Sequence, residues 1–140
     1  MLENKRILEI AEIAIPTAMR YFGIMDDWKI AYHLCETPGD SAAIIQIVSD
    51  YRSADIKLMP YFTEEAFLWR TCGHEVAHVV LADLEPIRSY IEQNEKDGPP
   101  AFNRMLRFGI ERAVNNLERL WVRDNPWPPP EFAVASTEKL

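Results

Sequence analysis

The chain lacks the cysteines for a disulfide framework: it has only two, Cys35 and Cys72, in 140 residues. A domain of that size buries its own core, so the two thiols read as reduced and the compartment as reducing. Cys72 lies in an apolar run and reads as a small core residue. Positive charge is also in short supply, with 15 Lys and Arg against 22 Asp and Glu and a net charge of −7. Phosphate binding needs a basic face, so nucleic acid is not expected as a partner. The arginines at 104, 107, 112, 119 and 123 interleave with acids, as on a solvated helix face. No stretch approaches the roughly 18 consecutive apolar residues of a membrane span. Glu9 and Glu12 interrupt what would have to be the apolar segment of an N-terminal secretory signal. These absences predict a cytoplasmic protein with no membrane partner.

What is present suits a single compact domain: 48% of the residues are hydrophobic and 26% charged. Histidine is scarce, yet two of the three histidines fall in one pattern, His74-Glu75-Val76-Ala77-His78, inside a proline-free run from Thr63 to Glu85. On a helix, residues four apart share a face, so both imidazoles can reach one metal ion. Glu75 follows directly after His74, where a carboxylate can take a proton from a water on the metal without itself ligating. Two imidazoles plus a general base is the arrangement of a zinc hydrolase. The bland alternative is a pair of histidines satisfied in a core helix.

Around the motif the chain divides into recognisable elements. From Glu3 to about Phe22, apolar residues at spacings of three and four predict an amphipathic helix, kinked or divided by Pro16 and closed by Gly23. Trp28 to Leu34, Ala42 to Val48 and Ile56 to Tyr61 read as three short strands. The Thr37 to Ser41 cluster is a turn and Asp50 to Asp55 a polar connection, which suggests a small, mostly antiparallel sheet. Thr63 is the expected N-cap of a central helix running to about Asp83. Gly73 within it implies close approach of a strand or clearance for a substrate. A short helix over Ile87 to Gln93, a loop over Asn94 to Pro100 and a long helix from Ala101 to about Val122 follow. The fold class is therefore α+β: an N-terminal helix, a three-stranded sheet, the motif helix and a C-terminal helix. Residues 1–123 form the domain. Residues 124–140 form a Pro-rich tail that packs through Trp127 and Phe132, is disordered, or lies over the metal.

A catalytic zinc takes a third protein ligand. Leu81 and Leu84 exclude the longer version of the motif, which needs glycine and histidine there. His33, on the first strand, is the remaining histidine, and a plain strand histidine fits it better. Of the later acids, Glu85 follows the motif too closely and Glu95 lies in a loop, leaving Glu92, Glu111 and Glu118. Glu111 is the expected ligand, beside the apolar stripe of the last helix. Asn115, four residues on, is the expected hydrogen-bond partner of a ligating histidine, and Glu118 is the main rival as ligand. Tyr61, Tyr90 or an arginine would supply an oxyanion donor.

His74-Glu75-Val76-Ala77-His78 together with Glu111-Arg112-Ala113-Val114-Asn115-Asn116-Leu117 resembles the small gluzincin-type metallopeptidases of phages and bacteria, the minigluzincins, related in outline to the SprT-like and ImmA-like groups. The resemblance covers roughly Trp28 to Trp121. It implies a zincin-like domain, zinc on His74, His78 and a glutamate of a later helix, and hydrolysis of a peptide or protein substrate with Glu75 as general base. The alternative is a catalytically silent or regulatory metal-binding module that engages a protein partner, in a phage-related setting. A third class, hydrolysis of a non-peptide amide, would use the same residues.

Overall fold

A computed structural model of the chain describes residues 1–36, 39–84, 86–87, 90, 93 and 100–132, and its class is α+β. The first amphipathic stretch forms one helix, α1 (Asn4–Tyr21), with Ile7, Ile10, Ala11, Ala14, Ile15, Ala18 and Met19 as its buried stripe. Pro16 lies inside it without dividing it. An interior proline costs about 3 kcal/mol, which one or two buried aliphatic side chains offset at about 1.5–3 kcal/mol each. The carbonyl that loses its partner belongs to Glu12, an exposed residue that water reaches. Gly23, at φ +73°, ends the helix as expected, with its N–H on the Arg20 carbonyl and that of Ile24 on Met19.

Three strands follow, β1 (Lys29–Leu34), β2 (Ala43–Val48) and β3 (Ser53–Leu58), in the spatial order β1-β3-β2. β3 pairs antiparallel with β2 and parallel with β1, so the sheet is mixed. β3 begins at Ser53 and ends at Leu58, earlier than the Ile56 to Tyr61 expected from sequence. The segment expected to be a polar connection already alternates. Ser53, Asp55 and Lys57 point to the open face, while Ala54, Ile56 and Leu58 point inward and are buried. Inward rows then run across the strands, Tyr32–Ile56–Ile45 and Leu34–Leu58–Ala43. Because β3 is the middle strand, it cannot be the edge beside the metal motif. That place belongs to β2.

The motif helix, α2 (Glu65–Val80), packs against α1 and β2. Its N-cap is Glu64, in extended conformation, rather than Thr63. Buried Leu68, Trp69, Cys72, Val76 and Val79 join the α1 stripe and the inner sheet face in the main core. The last helix, α3 (Pro100–Asp124), lies on the far side of α2, where Ile110 and Val114 close over Ala77. Its C-terminal end is fixed by Trp121, which is fully buried and stacked on Trp69 with ring centroids 5.1 Å apart. A Cβ at Gly73 would overlap the Trp121 indole. The glycine therefore admits an aromatic ring from α3, neither a strand nor a substrate.

The chain after α3 turns back over the same corner. Trp69 Nε1–H donates to the Asn125 carbonyl at 2.8 Å, Trp127 packs on Trp69, and Phe132 lies between Trp127 and the Arg6 guanidinium. The short helix expected over Ile87 to Gln93 and the loop after it fall mostly outside the described residues, as do Thr37, Pro38, Glu85, Glu92, Glu95 and residues 133–140. Among the described residues no helix is long and apolar enough to cross a membrane.

Candidate metal centre

His74 and His78 leave α2 on one face, as their spacing requires, with ring centroids 5.1 Å apart and both side chains partly buried. α3 runs antiparallel to α2, so residues later in α3 meet residues earlier in α2. Trp121 meets Gly73, Glu118 meets His74 and Glu111 meets His78. Glu111, Val114, Glu118 and Trp121 recur at three- and four-residue spacing and thus form one stripe. Two of its members are core and two are carboxylates.

One donor atom from each of His74, His78 and Glu111 lies within 4.8 Å of the others. Glu111 Oε1 is 3.5 Å from His78 Nε2. Two ligand atoms on a tetrahedral zinc, each about 2.0–2.1 Å from the ion, stand about 3.4 Å apart. That pair already has the spacing, and even the widest pair needs to close by only about 1.4 Å. The residues therefore fit a metal. Two imidazoles and a carboxylate suit zinc, although imidazole also accepts other transition ions.

Glu118 has another place. Its Oε1 is 3.3 Å from His74 Nδ1 and 3.7 Å from the Nε of Arg70. It does not belong to the three-residue donor group. A carboxylate on Nδ1 fixes the tautomer and orientation of an imidazole and leaves Nε2 for an ion. The sequence reading gave this partnership to Asn115, which is instead exposed. The discoverable signal was the seven-residue step from Glu111 to Glu118, two helical turns along one face.

Glu75 is 7% exposed. Its pKa is pushed up from the ordinary 4.5 to about 7, first by burial and then by the negative charge of Glu111. It lines a groove of about 430 Å³ together with His74, His78 and Glu118 from the helices, Ser41 and Ala42 just ahead of β2, and Ala43 and Ile45 on β2. Cys72, one turn earlier, is wholly buried with its thiol pKa raised by desolvation, as a small core residue should be.

No family model, no curated protein and no solved structure matches the chain.

The other candidates lie elsewhere. His33 is half exposed, 3.1 Å from Asp55 of the neighbouring strand, on the sheet face away from the helices. Neither Tyr61 nor Tyr90 lines the groove among the described residues. Of the arginines, Arg70 stands one helical turn before His74 and approaches Glu118. Residues 125–132 do not line the groove: Pro126 and Trp127 line a separate hollow with Trp69 and Arg70. From sequence, the strand around Ile56 to Tyr61 is the candidate for the sheet edge beside the metal; β2 takes that place instead, because which strand flanks the motif depends on strand order.

Proposed function

We propose that the chain is a zinc-dependent metallopeptidase. The observation that carries the reading is a buried carboxylate, Glu75, lining one groove with His74 and His78, two of the three residues of a His74–His78–Glu111 donor set to which it does not itself belong. Burying a carboxylate costs several kcal/mol unless something opposite in charge compensates it. A module that only bound metal would gain nothing from that expense, whereas a general base needs a pKa near neutrality.

A zinc ion on His74, His78 and Glu111 would polarise a carbonyl and lower the pKa of water at that point to about 7. Glu75 takes the proton of the attacking water and delivers it to the leaving amine, which makes one residue base and then acid. Glu118, with Oε1 3.3 Å from Nδ1, is placed to favour one tautomer of the His74 ring. The outer edge of β2 has no strand partner among the described residues. An extended peptide can pair with it and lie across the groove, which favours a peptide over a small amide.

Metal analysis tests the foundation. The purified chain should carry about one zinc, retained by Glu75→Ala and weakened in Glu111→Ala. A wild-type chain that takes up no zinc from zinc-containing medium contradicts the reading.

A further inference from the structure

The last helix carries a face that the metal centre does not use. α3 holds five of the chain's ten arginines and none of its five lysines, against three acids. It is therefore +2 in a chain of net charge −7, and the remainder carries −9. In sequence these arginines interleave with acids, but in the structure the acids turn away from them. Glu111 and Glu118 approach His78 and His74, and Asp124 is held by the Tyr21 hydroxyl and by Arg123. Ile110, Val114 and Trp121 mark the buried side of α3. At about 3.6 residues per turn, Arg104, Met105, Phe108, Arg112, Arg119 and Arg123 stand on the opposite side, and all six are exposed. From Arg104 to Arg123 this stripe is about 28 Å long at about 1.5 Å per residue. Among the described residues Arg104, Arg112 and Arg119 make no ion pair. Met105 and Phe108, one turn apart at one end of the stripe, are 70% and 67% exposed.

A merely solvated helix face mixes the two signs of charge along its length. Here cations of one kind stand without acids beside an exposed thioether and an exposed ring. Arginine, methionine and phenylalanine are enriched in protein interfaces and lysine is depleted. The guanidinium fork pairs with carboxylate or phosphate. A polyanion that extends beyond the stripe, such as a DNA duplex or an anionic bilayer, would also meet the field of the remaining −9, which reaches about 8–10 Å at ordinary salt. Nor does a duplex offer Met105 and Phe108 an apolar surface. A single helix laid along α3 covers the stripe and no more, and its carboxylates recur at the same turn spacing as the arginines. We infer that the outer face of α3 binds an acidic amphipathic helix of a partner protein. Its carboxylates meet Arg104, Arg112 and Arg119, and an apolar side chain covers Met105 and Phe108. None of these residues lines the metal groove, so the contact is independent of the metallopeptidase reading.

Fluorescence anisotropy measures the contact, with a labelled, blocked peptide of about 20 residues built of Glu, Ala and Leu and its leucines on one helical face. The full chain should bind it at least about tenfold tighter than the same peptide with Lys for every Glu. It should also prefer it about threefold or more over an isomer whose leucines are scattered round the helix. Arg112→Glu combined with Arg119→Glu should lower the affinity at least about tenfold. Phe108→Ser should lower it about three- to tenfold. Helix content and thermal midpoint should stay near wild type in both variants, since all three side chains are exposed. Added salt should weaken binding by wild type and by Phe108→Ser alike. No binding of the acidic peptide, equal affinity for either control peptide, or unchanged affinity in the charge-reversed variant overturns the docking face. Tighter binding to a short DNA duplex or to phosphatidylglycerol vesicles than to the peptide also overturns it, by assigning the arginines to phosphate.

Discussion

His74 Nδ1 and Glu118 Oε1 lie 3.3 Å apart where α2 meets α3. This contact ties the metal face of one helix to the register of another, seven residues beyond the carboxylate that approaches His78. Glu118→Gln keeps the shape but removes the charge, so zinc affinity should fall about 10–100-fold while stoichiometry and helix content stay unchanged. Titration against a competing chelator reads this directly. Unchanged affinity would make Glu118 a surface partner of Arg70 and nothing more.

Gly73→Ala gives a test by sign. Helix propensity alone would make alanine the more stable residue by about 1 kcal/mol. The Trp121 indole occupies the space of the new methyl and is itself wholly buried, so overpacking of about 1–3 kcal/mol or more should win. The urea midpoint should fall. A rise would mean that α3 does not close on α2 in this register.

The metal-free protein should lose stability as the pH is raised. Folding lifts the Glu75 pKa from 4.5 to about 7, so the folded chain holds this proton more tightly than the unfolded one. The resulting stabilisation is whole below pH 4.5 and is lost as the pH rises through about 7. It amounts to at most about 3 kcal/mol. Denaturation in chelator at pH 5 and pH 8 should show the fall, and Glu75→Gln should flatten it. Equal pH dependence in the two proteins would mean that Glu75 is not buried.

The motif helix, the N-terminal helix and the last helix were legible because helical periodicity is local, and so was the pairing of His74 with His78. Glu111 was legible as a carboxylate beside an apolar stripe. The sheet was read less well. Ala54 is too small to advertise the inward side of β3, so the alternation beginning at Ser53 passed for a polar connection. Strand order then hid the fact that β2 flanks the groove, since pairing joins residues far apart in sequence. The roles of Gly73 and Glu118 depend on how α3 slides along α2. That register is set by the Trp69–Trp121 stack, which neither helix reveals alone.

Trp127 separates a strap from a lid. It packs on Trp69 and Phe132, away from the groove. Trp127→Ala should therefore cost about 1–3 kcal/mol of stability while leaving zinc affinity unchanged. Loss of zinc affinity without loss of stability would place the tail at the metal.

The most direct measurement of the central claim compares wild type and Glu75→Gln, both loaded with zinc, on the same peptide library. Wild type should cleave, and the variant should hold the same zinc while cleaving at least about a hundredfold more slowly, because a general base contributes roughly 10²–10⁴ in rate. Equal cleavage by the two proteins at equal zinc content, or none by zinc-loaded wild type, would contradict it.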